Sequence, residues 1–155
     1  MTAKKYLIRA LLPEEEIPYH LLLLADETKE AIDKYLTAAD IYLLEINHRI
    51  IATYVIQIVN VTELEIKNIA VDTDFQGQGW GTILLQHATA TAKAAGYKSL
   101  LIGTADTATQ QLKLYQKEGF ERYKVLKDFF IDNYPMPIYE NDVQLKDMIL
   151  LKKML

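Results

Sequence analysis

The sequence predicts an α+β domain with a mixed sheet, and three observations lead there. Residues 40–45, 50–59 and 63–71 are apolar runs rich in β-branched side chains, separated by Asn47-His48-Arg49 and Asn60-Val61-Thr62. Polar links of this kind are turn formers, so the runs read as an antiparallel meander. A glycine-rich link then leads into a helical stretch over 82–95 and a short apolar strand over 99–103. A helix between two strands is the crossover that a parallel pair requires. Apolar residues also recur at three- and four-residue intervals over 17–24, 26–36 and 107–118, which is the helical period. Strand runs and helical runs in this order fit an α+β layer arrangement.

Taken along the chain, residues 4–12 form the first strand, with Tyr6, Ile8 and Ala10 on one face, and Pro13 stops it. Glu14, Glu15 and Glu16 favour a helix start through the helix dipole, and Pro18 is tolerated in a first turn. Gly96 ends the helix over 82–95, and Gly119 ends the one over 107–118, turning Phe120 toward the core. Residues 122–132 and 143–154 read as a last strand pair joined by a loop that contains Tyr134, Pro135, Pro137 and Tyr139. No repeat, low-complexity tract or linker divides the chain, so residues 1–155 are expected to form one domain.

Composition narrows the functional classes. A net charge of −4 without a Lys/Arg run argues against a nucleic-acid surface. The chain has no cysteine, which rules out disulfides, thiolate metal sites and a cysteine nucleophile. His20, His48 and His87 are scattered, without ligand spacing, so no metal is expected. Ser99 lies in no G-x-S-x-G elbow. The longest apolar run near the start, residues 21–25, is far too short for a signal core or a membrane span. A cytoplasmic protein with no nucleic-acid or membrane partner is expected.

The informative stretch is Ile66-Lys67-Asn68-Ile69-Ala70-Val71-Asp72-Thr73-Asp74-Phe75-Gln76-Gly77-Gln78-Gly79-Trp80-Gly81-Thr82. It reads as strand, glycine loop, helix. Glycine admits positive φ and close approach by a ligand, and the open N–H groups of a helix start attract an anion such as a phosphate. The spacing is not G-x-G-x-x-G, because the glycines stand at 77, 79 and 81, and no Lys follows Gly81 as a nucleotide P-loop requires. A nucleotide-binding protein is therefore the weakest alternative.

Gln76-x-x-Gly79-x-Gly81 is the [Q/R]-x-x-G-x-[G/A] pattern and resembles the coenzyme A loop of the GNAT superfamily of N-acetyltransferases. Ile69-Ala70-Val71-Asp72 before it, and Leu114-Tyr115-Gln116-Lys117-Glu118-Gly119-Phe120 after it, resemble that superfamily's fourth strand and its L-Y-x-K-x-G-F helix ending. The resemblance covers about 63–120 by motif and the flanks by pattern only. It implies a mostly antiparallel central sheet with helices on both faces and a splay between the fourth and fifth strands. It further implies transfer of an acetyl group from acetyl-CoA, without a metal, to a primary amine by direct attack in a ternary complex. A non-catalytic acyl-CoA-binding sensor or partner module on the same fold is the alternative. The acceptor, a small molecule or peptide amine, is left open, as is oligomeric state, a homodimer included.

Residue by residue, the resemblance assigns the diphosphate to the backbone of Gln76, Gly77, Gln78, Gly79, Trp80, Gly81 and Thr82, with Gln76 bracing the turn. The backbone of Ile69, Ala70 and Val71 would pair with the pantetheine arm, and one N–H would polarise the acetyl carbonyl. Glu65 is the candidate base. Strand alternation puts it on one face with Glu63, Lys67, Ile69 and Val71, and it stands eleven positions before Gln76, as the glutamate of histone-type relatives does. Glu63 is the reserve. Tyr115 is the candidate acid, facing the coenzyme sulfur. Where many relatives carry an Asn, this chain has Asp106, which either contacts the coenzyme or caps the following helix. Phe130 and Tyr134 in the C-terminal loop are candidates to line an amine pocket.

Overall fold

A computed structural model describes residues 5–155. The elements run β1 (Leu7–Ala10), α1 (Tyr19–Ala25), α2 (Lys29–Leu36), β2 (Ala39–Ile46), β3 (Arg49–Ile58), β4 (Glu63–Val71), a 3-10 turn (Thr73–Phe75), α3 (Trp80–Ala94), β5 (Ser99–Ala105), α4 (Thr109–Lys117), β6 (Glu121–Leu126), α5 (Phe129–Asp132), β7 (Tyr139–Glu140), β8 (Val143–Gln144) and β9 (Met148–Met154). Seven strands form one sheet in the order β1-β2-β3-β4-β5-β9-β6, and β7 and β8 form a separate small hairpin. Every pairing in the large sheet is antiparallel except β4 with β5.

Helices cover both faces. On one, α3 presents Leu84, Leu85, Ala88 and Ala92 to Tyr54, Ile56, Leu64, Ile66, Leu100 and Ile102 of the strands, and α4 adds Leu112 and Tyr115. The alanines at 88 and 92 let α3 lie close to the sheet. On the other face α1 and α2 bring Leu22, Ile32 and Tyr35 against Ile41, Leu43 and Val55. Burying each such aliphatic side chain favours folding by about 1.5–3 kcal/mol. The Thr28 hydroxyl caps α2 by accepting from the Ala31 N–H at 3.1 Å.

Several expected boundaries move. The strand expected over 4–12 covers only Leu7–Ala10, and Lys4 lies outside the described residues. Glu14, Glu15 and Glu16 do not start a helix. The Glu15 carboxylate instead accepts from Arg9 at 2.6 and 2.9 Å and from the Leu12 N–H at 2.8 Å, which holds the chain in a turn, and α1 begins after Pro18. The expected strand over 122–132 stops at Leu126, because Asp128 takes a left-handed conformation (φ 57°) and its N–H donates to Asp147 Oδ1 at 2.8 Å. That turn lets Phe130, on the short helix α5, bury beside Ala105, Ile138 and Leu145. The partner expected over 143–154 is split likewise, and β9 inserts between β5 and β6.

Two features of β4 position the site. Its parallel pairing with β5 runs only from Glu63–Ser99 to Ile66–Ile102, so the strands part beyond Ile66. At the same place the register with β3 jumps from Ile56–Ile66 to Val55–Asn68, leaving Lys67 as the extra residue of a β-bulge. A bulge bends and twists the strand that carries it, here away from β5.

Candidate active site

The gap between the parted strands opens into a cleft of about 1370 Å³ that runs from the glycine loop, past β4 and α4, to α1–α2 and the C-terminal segment. At one end is the loop. Gly77 (φ 75°) and Gly79 (φ 90°) both hold left-handed conformations, and no atom lies within 4 Å of where a Cβ would stand on either. Their glycine identity therefore answers to backbone conformation rather than to crowding. Gly79 is the N-cap of α3, so the helix starts two residues earlier than its expected first residue, Thr82, and includes Trp80 and Gly81. The first N–H groups of any α-helix lack an intrahelical acceptor, and here the start of α3 borders the cleft, which Gly79, Gly81 and Thr82 line.

The loop is braced before any ligand arrives. The Gln76 side-chain amide donates to the Val71 carbonyl at 2.9 Å. Asp72 accepts from the Asp74 N–H at 2.9 Å and its own N–H donates to the Ile51 carbonyl at 2.7 Å. Arg49 reaches Asp72 at 3.6 Å and lies over the Phe75 ring at 5.0 Å. Trp80 is buried in the α3 core, with Tyr6 packed edge-on at 5.6 Å.

Ile69, Ala70 and Val71 line the cleft where β4 has left β5. Tyr115 lines it from α4. Its surroundings are apolar, and burial pushes the phenol up to about 12, so the hydroxyl stays protonated and is a hydrogen-bond donor at any ordinary pH.

Glu65 also lines the cleft, but not from the expected side. Accessibility alternates along β4 without interruption, yet the bulge at Lys67 exchanges the faces. Ahead of it Leu64 and Ile66 point to α3, while beyond it Ile69 and Val71 do. Glu63 and Glu65 therefore share a face with Asn68, whose amide donates at 3.0 Å both to the Leu22 carbonyl of α1 and to the Tyr35 hydroxyl of α2. Plain alternation misplaces Ile69 and Val71 relative to Glu65, because the inserted residue shifts the phase of the pleat. Glu65 pairs with Lys67 at 3.3 Å. Glu63 is held by Asn60, Lys152 and Ser99 at 3.0, 3.0 and 2.9 Å, and these contacts keep its carboxylate down at about 2. Its proton affinity is then too small for a general base near neutrality.

Asp106 and Gln78 lie outside the residues lining the cleft. Asp106 is exposed, its N–H donates to the Asp147 carbonyl at 3.1 Å, and the N-cap of α4 is Ala108, which makes no side-chain cap bond. The capping role for Asp106 is thus not realised. Phe130 and Tyr134 line the far end of the cleft, stacked with centroids 6.0 Å apart, beside Asp26, Glu27 and Glu140. Asn68, Tyr35 and Asp26 went unnoticed in the sequence. Only Asn68, a polar residue at a buried strand position, carried a signal. Among the described residues no group of three or more His, Cys, Asp or Glu side chains could hold a metal ion, and no helix is long and apolar enough to cross a membrane.

With the geometry established, comparison with known proteins is decisive. The "Acetyltransferase (GNAT) domain" family matches residues 37–122. The chain belongs to the GNAT family of acetyltransferases. This GNAT protein is 38% identical over 133 residues to "Uncharacterized N-acetyltransferase YvbK" of Bacillus subtilis strain 168, covering 86% of each chain. Its fold superposes on a GNAT family acetyltransferase from Elizabethkingia anophelis with acetyl-CoA bound (TM-score 0.94, 48% identity, 97% of this chain and 98% of that one). It also superposes on a Bacillus subtilis acetyltransferase in complex with CoA (TM-score 0.89, 35% identity, 97% and 99% covered). The expected α+β sheet with its β4–β5 splay and flanking helices is the GNAT architecture.

Proposed function

We propose that this GNAT acetyltransferase moves the acetyl group of acetyl-CoA to a primary amine by direct attack within a ternary complex. The observation that carries the reading is the parting of β4 from β5 beyond Ile66 and Ile102, beside a braced loop with two left-handed glycines. The relatives that hold acetyl-CoA or CoA support the same donor here.

In this reading the main-chain N–H groups between Gln76 and Thr82 hold the diphosphate. Over Ile69, Ala70 and Val71 the strand pairs with β3 on one edge, and the edge that β5 has left offers hydrogen bonds to the pantetheine arm, where one N–H polarises the acetyl carbonyl. Glu65, directly or through water, takes a proton from the amine as its nitrogen bonds to the acetyl carbon. The C–S bond then breaks, and the Tyr115 hydroxyl stabilises the departing sulfur. A phenol near 12 is a weaker acid than an ordinary thiol near 8.5, so its main contribution is hydrogen-bond donation into the developing thiolate. The amine end of the reaction suits the far part of the cleft, where Glu27, Glu65 and Glu140 stand among Tyr35, Phe130 and Tyr134, a lining that favours a cation beside aromatic faces.

Release of free thiol from acetyl-CoA over an amine panel tests the reading. Turnover with intersecting double-reciprocal lines is expected. Parallel lines, or binding of ATP but not coenzyme A followed through Trp80 fluorescence, would overturn it.

A further inference from the structure

A chain of hydrogen bonds crosses the acceptor end of the cleft and joins parts of the sequence that are otherwise far apart. It begins at Asn68, just past the bulge, whose amide reaches the Tyr35 hydroxyl at 3.0 Å. Tyr35 donates to Asp26 Oδ2 at 3.2 Å, and Tyr134, which is 108 positions away from Asp26, donates to Asp26 Oδ1 at 2.6 Å. Asp26 is also the C-cap of α1, and its N–H donates to the Leu22 carbonyl that receives Asn68. All four residues line the cleft. Burial and the neighbouring carboxylate push both phenols upward, so each stays a donor, and each Asp26 oxygen is engaged by one of them. Tyr134 in turn stacks on Phe130, the buried anchor of α5.

We propose that Asp26 is a positioning residue for the amine acceptor: by receiving both hydroxyls it fastens the C-terminal segment to α1–α2 and sets the aromatic wall against which the acceptor lies. This rests on the acetyltransferase reading above. Asp26 thus acts on the acceptor through the two phenols rather than on the reacting atoms. Its loss loosens the acceptor wall and leaves the donor loop, at the other end of the cleft, unchanged. The coupling runs through one carboxylate, so the contributions of Asp26 and Tyr134 are not additive.

The test compares Asp26→Asn, Tyr134→Phe and the double variant with the parent. Hydrogen exchange is followed over the α5 segment and α3, and initial rates are measured with tyramine and with spermidine as acceptors. Faster exchange over 129–134 with α3 unchanged is expected in all three variants. The acceptor KM should rise about fivefold, as for loss of one hydrogen bond, with kcat and acetyl-CoA affinity within twofold. The double variant should match the Asp26→Asn single. Unchanged exchange over 129–134, a fall in kcat at constant acceptor KM, or additive effects would overturn the proposal. If the parent acetylates neither amine yet binds acetyl-CoA, an accelerated exchange over 129–134 still supports the fastening and an unaltered one refutes it. The missing turnover counts against the primary-amine reading instead.

Discussion

The Gln76 side-chain amide donates to the Val71 carbonyl at 2.9 Å, joining the glycine loop to the last residue of β4. In the proposed reading this bond ties the diphosphate site to the acyl site. Gln76→Ala removes one exposed hydrogen bond. It should weaken acetyl-CoA binding roughly three- to tenfold with a change in thermal midpoint too small to matter for folding. Fluorescence titration and a melting curve on the same sample check this.

Gly79 and Gly81 should separate conformation from access. Gly79→Ala forces a Cβ into the left-handed region at φ 90° and should cost about 1–2 kcal/mol of stability. Gly81 lies in the first turn of α3, and a Cβ on it would meet Leu114 Cδ2 of α4 at 3.6 Å, an ordinary contact. Gly81→Ala should therefore leave the melting temperature the same or raise it, since alanine favours a helix by up to about 1 kcal/mol, and coenzyme affinity should hold, because the [Q/R]-x-x-G-x-[G/A] pattern admits alanine at this position. Coenzyme affinity should fall in Gly79→Ala, and an undiminished affinity in that variant would remove the start of α3 from the donor site.

Tyr115→Phe should lower kcat by roughly 10²-fold, the usual scale for one donor aimed at developing charge, with acetyl-CoA affinity nearly constant. Glu65→Gln should act on the same rate constant by a similar factor. A Glu65→Gln enzyme as fast as the parent would leave amine deprotonation to water.

Glu63 provides a pH test. Hydrogen bonds from Asn60, Lys152 and Ser99 hold its folded-state value down from 4.5 to about 2. A depressed carboxylate stabilises the fold fully above its unfolded value and loses that contribution as pH falls through the folded one. Glu63→Gln should thus cost ~1 kcal/mol at pH 7, and the gap between variant and parent should close between about pH 4.5 and 2. Urea melts at a series of pH values measure it.

Much of this was legible because the signals are local. The Asn47-His48 turn, with both residues at positive φ, the Gln76–Gly81 loop and the Gly96 helix stop are each written in a few adjacent residues. The missed features are those that depend on distant partners. Nothing about Lys67 marks it as a bulge, for it is neither Gly nor Pro, and only the register of β3 makes it the extra residue. The Asp26–Tyr134 bond and the insertion of β9 between β5 and β6 are likewise products of tertiary packing. Glu14, Glu15 and Glu16 look like a helix start until Arg9, from β1, claims the middle one.

The inserted residue in β4 makes one strand serve two rooms. Upstream the odd positions Glu63 and Glu65 face the acceptor chamber and the even positions Leu64 and Ile66 the oily one; downstream the parity is reversed, with Asn68 on the first side and Ile69 and Val71 on the second. Deleting Lys67 would heal the ladder, with Ile66 and Asn68 opposite Ile56 and Val55 in unbroken register and every other side chain on its present face. It would also take away the bend that turns β4 from β5. A single codon thus separates a parted pair of strands from one free to zip shut.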